Sequence, residues 1–237
     1  MEIFTREGGE ILSRWGHYLS GVTWIGLLYY FNFVQVPAFA SFEAGPRTEA
    51  ITKLVPRALW WFRWAAVATV ATGLLIISTK PDQSAYWDSS TGVAISTGIL
   101  IALIMFANVW GIIWRNQKIV IASAERVAAG GEADPAAAAA GRKALVASRT
   151  NTLFSIPMLF FMGAASHFAG VFSTADNRGA YYGVMTLIVV LVELNAVGVF
   201  GGVGPSPLRK YADSHRDTII AGFVLWVVLY LLWEIFF

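Results

Sequence analysis

Six stretches of this chain stay apolar for about the twenty residues that a helix needs to cross a bilayer. They run from Trp15 to Pro37, Ala58 to Ser78, Gly92 to Trp114, Thr152 to Phe172, Tyr181 to Phe200 and Thr218 to Phe237. The expected architecture is an all-α integral membrane protein, a single transmembrane domain over residues 1–237 built as a bundle of about six helices. The longest piece between spans, 115–150, has Ala-rich halves that are good helix formers, interrupted by Gly130, Gly131 and Pro135. It reads as a cytoplasmic helical hairpin that spaces the third and fourth spans. GGVGP at 201–205 reads as a turn after a span. Gly198 and Gly202 have the small-residue spacing with which a partner helix could pack against the fifth span.

Composition narrows the class further. A chain of 237 residues that is 57% hydrophobic, with ten Trp and 14% charged residues, cannot hide its apolar surface in a soluble core. The first span is too long for a cleaved signal peptide and lacks a small-residue cleavage site, so it is expected to stay in the mature chain. Basic residues near span ends are retained on the cytoplasmic side. Twelve of them (Arg47, Lys53, Arg57, Arg115, Lys118, Arg126, Arg142, Lys143, Arg149, Arg209, Lys210 and Arg216) fall in the loops 38–57, 115–151 and 201–217. The opposite face receives only Arg6, Arg14, Lys80 and Arg178. Both termini are therefore expected in the periplasm, with the protein multi-pass in a bacterial inner membrane and lipid as its surroundings. The net charge of +2 records this topology and gives no reason to expect nucleic acid.

Cysteine is absent, which excludes disulfides, thiolate metal sites, iron–sulfur clusters and the CxxCH attachment of a c-type haem within these residues. Any haem must be a non-covalent haem b held by His or Met. Two histidines lie in apolar spans, His17 in RWGHYLSGVTW and His167 in MLFFMGAASHF. The first span enters from outside and the fourth exits there, so at about 1.5 Å per residue both fall at a similar depth. Gly21 follows His17 by four residues and Gly163 precedes His167 by four, which puts a glycine one turn deeper on each histidine's own face. Missing side chains there suit a flat macrocycle, and they suit plain helix packing as well. Arg14, one turn outside His17, is placed to meet a propionate, with Arg178 as a second choice, and Trp24 continues the stripe inward. Haem ligation by His17 and His167 is the favoured reading, because ionisable residues inside spans are costly and usually functional. Ordinary hydrogen bonding at the interface and a copper or other metal site are the alternatives. His215, in SHRD, reads as solvated surface.

A second polar set belongs to the cytoplasmic half: Glu193 with Asn195, Asn108, Asn32, Gln35, and Arg63 in WWFRWAA. A carboxylate this deep needs a partner or a proton, and Arg63 is the expected partner. The set could form a polar pocket for a substrate, a quinone or protons, or an interhelical clasp that fixes packing. The sequence shows no phosphate-cradling glycine loop and no Ser/His/Asp arrangement.

The stretches WGHYLSGVTWIGLLYYF, NVWGIIWRNQKIV and above all SRTNTLFSIPMLFFMGAASHF resemble, in order over residues 14–172, the membrane domain of bacterial membrane-bound urate hydroxylases, the urate oxidase N-terminal family. In that family the membrane domain precedes a cytochrome c domain and is associated with oxidation of urate to 5-hydroxyisourate. The resemblance implies an oxidoreductase, supports His17 as an axial ligand and carries His167 over as the histidine closing the fourth block. With no CxxCH before Phe237, the expected partner is a separate periplasmic c-type cytochrome. The working function is a membrane haem-b protein passing electrons at the periplasmic face, with bis-histidine ligation favouring electron carriage over O₂ activation. The rival is a non-catalytic accessory subunit of a larger respiratory or photosynthetic complex.

Overall fold

The computed structural model describes residues 2–167 and 177–237, and these are helical with no strand among them. Five helical stretches within the described residues are long and apolar enough to cross a membrane: Arg6–Ser41, Ala44–Ser78, Ser90–Ala128, Arg178–Ala196 and His215–Phe236. The protein is an all-α membrane bundle. The fourth expected span falls on the helix Ala137–His167, and its remainder, 168–172, lies outside the described residues. That helix buries a polar row, Arg149, Thr150, Asn151, Thr152 and Ser155.

Compactness divides the chain into two units, residues 1–79 with 106–148 and residues 80–105 with 149–237. In the first, α1 (Arg6–Tyr29) starts where the Thr5 hydroxyl accepts the Gly8 N–H. It widens to π geometry over Tyr30–Gln35 and continues as α2 (Val36–Ser41). The widened turn lies just before Pro37, whose ring would meet the Phe33 carbonyl in a regular helix, and the Val36 N–H reaches back to Phe31 instead. α3 (Ala44–Lys53) bends at Leu54–Pro56 into α4 (Val55–Ser78). The main packing is α1 on α4. Trp24, Leu28 and Phe31 on one side and Leu59, Phe62 and Ala66 on the other are all buried, with the Phe31 and Phe62 rings edge to face at 5.4 Å. Trp15, Val22, Trp61 and Leu75 point outward, as expected where the surroundings are hydrocarbon.

Still in the first unit, the π turn Val109–Ile113 leads into α7 (Trp114–Ala128), which packs on α3. A turn through Gly130, at φ +84°, returns the chain to the first part of α8 (Ala137–His167), and Gly141 faces Val120 across the pair. Asp134 fixes this turn. Its carboxylate accepts the Ala136 N–H at 2.9 Å and pairs with Arg126 at 2.6 Å, while its own N–H donates to the Ser123 hydroxyl at 2.9 Å. Those interactions, the Ala136 bond first, hold its carboxyl below the usual range.

The second unit contains α5 (Gln83–Asp88), the first part of α6 (Ser90–Asn108), the second part of α8, α9 (Arg178–Ala196) and α10 (His215–Phe236). Tyr181, fully buried, shares a hydrogen bond of 2.9 Å with Thr97, and its ring lies edge to face with Trp233 and tilted against Phe237. Gly222 lets α10 approach the Leu153 carbonyl of α8; Pro157, four residues on, has no N–H to give that carbonyl. α9 ends at Ala196, four residues before the expected end of the fifth span at Phe200. Gly198, Gly201 and Gly202 adopt φ values of +93°, +90° and +78°, open to glycine at little cost. Gly198 and Gly202 are therefore a turn closed by the Gly202 N–H on the Gly198 carbonyl at 2.7 Å. The expected small-residue face on the fifth span is corrected accordingly. Arg209, 2% exposed, caps this end of α9 by donating to the Asn195 side chain at 3.0 Å and to the carbonyls of Asn195, Phe200 and Gly204.

Candidate functional site

The α1–α4 pairing of the first unit carries His17. Its Nδ1 stands 2.9 Å from the Thr69 carbonyl oxygen and 3.3 Å from the Thr72 hydroxyl. A carbonyl can only accept, so in the neutral ring Nδ1 bears the proton and Nε2 keeps its lone pair. Metal-ligating histidines are oriented by this kind of bond from the other ring nitrogen. Two glycines make the approach possible. Gly73 has no Cβ to meet the imidazole, since one built there would lie 3.2 Å from His17 Cε1, and a Cβ on Gly16 would lie 3.2 Å from the Thr72 methyl. The histidine is half-buried.

Around His17 the expected neighbours divide. Gly21, one turn along α1, has nothing within 4 Å of where a Cβ would stand, so that face is open. Trp24 is 1% exposed and its indole N–H has no hydrogen-bond partner among the described residues. Arg14 is already engaged. It binds Glu10 at 2.7 Å, and the other Glu10 oxygen accepts from the Thr79 hydroxyl at 3.3 Å. A propionate would have to share or displace that carboxylate.

The deeper polar set of the first unit is organised by aromatic rings. Arg63, 9% exposed, places its guanidinium carbon 3.4 Å from the Trp114 ring centre and 5.2 Å from that of Trp110, and its Nε donates to the Leu59 carbonyl at 3.1 Å. Cation–π contacts of this kind are worth most when desolvated. Within its own unit, Arg63 is held between these indole faces and the Leu59 carbonyl. Asn32 is fully buried and donates to the Leu28 carbonyl and the Ser148 hydroxyl, each at 2.8 Å. Asn108, 3% exposed, ends α6 at the start of a π turn, a distortion often found at functional positions.

In the second unit His167 closes the described part of α8 and is exposed. Gly163, four residues earlier, has nothing within 4 Å of a notional Cβ. Glu193 is half-buried near the C-terminus of α9. Among the described residues no group of three or more His, Cys, Asp or Glu is arranged to hold a metal ion.

Sequence reasoning missed Thr69, Thr72 and Gly73, which stand more than fifty positions from His17. The only signal was a short run of small and hydroxyl residues, ATVATG at 68–73, inside an otherwise bulky span. It missed the Arg63 contact with Trp110 and Trp114 because those indoles come from a segment about fifty positions further along the chain.

Residues 84–197 match the family model described as urate oxidase N-terminal. No curated protein and no solved structure matches the chain. The matched stretch runs from α5 through α9 and contains Asn108, Gly163, His167 and Glu193; His17, with Arg14, Gly21, Trp24 and Arg63, precedes it. The match extends past the resembling region, which stopped at 172.

Proposed function

We propose, for a chain whose residues 84–197 belong to the urate oxidase N-terminal family, that this membrane domain binds haem b non-covalently and passes single electrons at its periplasmic face. The acceptor is a c-type cytochrome and the donor urate or a related small molecule. The observation that carries the reading is the imidazole of His17, held by Nδ1 on the Thr69 carbonyl at 2.9 Å with Nε2 free to ligate. The residues fit such a group. His17 offers a neutral, oriented nitrogen, and Gly21 leaves an open face one turn deeper. His167 is the expected second ligand, with Gly163 leaving the same kind of opening on α8. Haem, when bound, supplies one-electron redox chemistry. The protein's own part is to fix the ring of His17 through Thr69, Thr72 and Gly73. Arg14 and Glu10 together set the charge one turn outside.

The test is a reduced-minus-oxidised absorption spectrum of the detergent-purified protein expressed with ample haem, repeated for His17→Ala and His167→Ala. The expected result is a b-type α band lost in both variants and, in the parent, reduced by urate or another purine. A featureless parent spectrum sinks haem binding and favours the accessory-subunit reading. A haem that no purine reduces sinks the urate-type activity alone.

A further inference from the structure

A groove of about 350 Å³ opens where α3 turns into α4 and is lined by Pro56, Arg57, Trp60 and Trp61. We infer that it binds the headgroup of an anionic glycerophospholipid, with Arg57 on the phosphate and the two indoles against the glycerol and upper acyl region.

Charge is the first argument. Arg57 is exposed and has no hydrogen bond or ion pair among the described residues, whereas the nearest basic residue along the chain, Lys53, is neutralised by Glu49 at 2.5 Å. One uncompensated guanidinium therefore stands over an otherwise apolar groove, and a guanidinium matches a phosphate through two parallel N–H donors. Depth is the second argument. α4 has 24 residues, about 36 Å at 1.5 Å per residue, against a hydrocarbon core of about 30 Å. Arg57, in its first turn, falls at headgroup level on the side that the basic loops assign to the cytoplasm. Trp60 and Trp61 are 49% and 60% exposed, and their rings meet at 85° with centres 5.0 Å apart. They make two walls of a shallow corner. Pro56 bends the chain here and supplies no N–H, so the floor is apolar. The site is independent of haem and of His17.

The experiment is native mass spectrometry of the full chain released from detergent with phosphatidylglycerol or phosphatidylcholine added. It compares the parent with Arg57→Gln, Arg57→Lys and the double variant Trp60→Leu/Trp61→Leu. The parent should retain phosphatidylglycerol over phosphatidylcholine. Arg57→Gln should cut that preference about fivefold, the factor for one basic residue at an anionic surface, and Arg57→Lys should keep most of it. The double Trp variant should lower retention as well. Equal retention of the two lipids by the parent overturns the inference. A preference lost in Arg57→Gln but untouched in the double Trp variant also overturns it, because the groove would then play no part. Displacement of phosphatidylglycerol by millimolar inorganic phosphate would identify a free-anion site and overturn the lipid assignment.

Discussion

Replacing Gly73 by Ala tests how His17 is held. A methyl at position 73 would lie 3.2 Å from Cε1 and 3.5 Å from Nδ1 of the imidazole, the first inside the ordinary carbon contact of about 3.5–4.0 Å. The new carbon is fixed by the α4 backbone, so the ring must retreat by roughly 0.3–0.5 Å. Nδ1 starts 2.9 Å from the Thr69 oxygen, and that retreat carries the pair to about 3.2–3.4 Å, at or beyond the edge of a normal N–H···O bond. Such a bond contributes about 0.5–1.5 kcal/mol net, so the Nδ1–H tautomer should lose up to about tenfold of its preference. The assay is the nitrogen-15 spectrum of histidine-labelled protein in micelles, with His17 identified by its loss in His17→Ala. The parent should show a protonated Nδ1 and a bare Nε2, and Gly73→Ala a mixture. Gly26→Ala, where nothing lies within 4 Å of the added carbon, should look like the parent. An unchanged tautomer in Gly73→Ala would refute the claim that this contact orients the ring. The measurement needs no haem, so it stands apart from the proposed cofactor.

Three further outcomes follow from the packing. Gly222→Ala would put a carbon 2.9 Å from the Leu153 carbonyl and 2.5 Å from Ile156 Cδ1; overpacking of this kind costs about 1–3 kcal/mol. Thermal unfolding in detergent should fall by about 2–4 °C per kcal/mol, whereas Gly183→Ala, with open space around it, should change little; equal melting of the two would contradict the close approach. Arg209→Met removes the donor from four acceptor contacts at the end of α9, and a buried acceptor left alone costs about 1–3 kcal/mol. Its melting point should drop and amide exchange at Val197 to Gly202 should quicken, and parent-like exchange there would remove Arg209 as the cap. Asp134 has a lowered carboxyl in the folded chain, so its contribution is complete above the unfolded value of about 3.9 and is lost as pH falls through the folded one. Protection of the Ala136 amide, corrected for intrinsic exchange, should hold at neutral pH and fall only in acid, and Asp134→Asn should remove that step; a step nearer neutrality would point to another group.

The sequence by itself determined the class. Runs of about twenty apolar residues leave backbone groups no partner in lipid except those within a helix, so the helical membrane bundle was readable without coordinates. Thr5, Pro37 and Pro157 likewise act through their own chemistry wherever they stand. The helix ends were less legible. The apolar run to Phe200 does not show that glycine at 198, 201 and 202 takes positive φ and stops α9 at Ala196. Only tertiary structure could decide what surrounds each functional side chain. His17 was visible as an ionisable residue in a span, but its tautomer comes from a carbonyl on another helix, admitted by an absent Cβ at Gly73. Arg63 was visible as a buried charge, but the indole faces packed against it, from α7 and the preceding π turn, were not. Hydropathy is a sum over neighbours in the chain and places residues in or out of lipid. Ring orientation, capping and cation–π contact depend on distances between helices, and those arise only once packing fixes the register of one helix against the next.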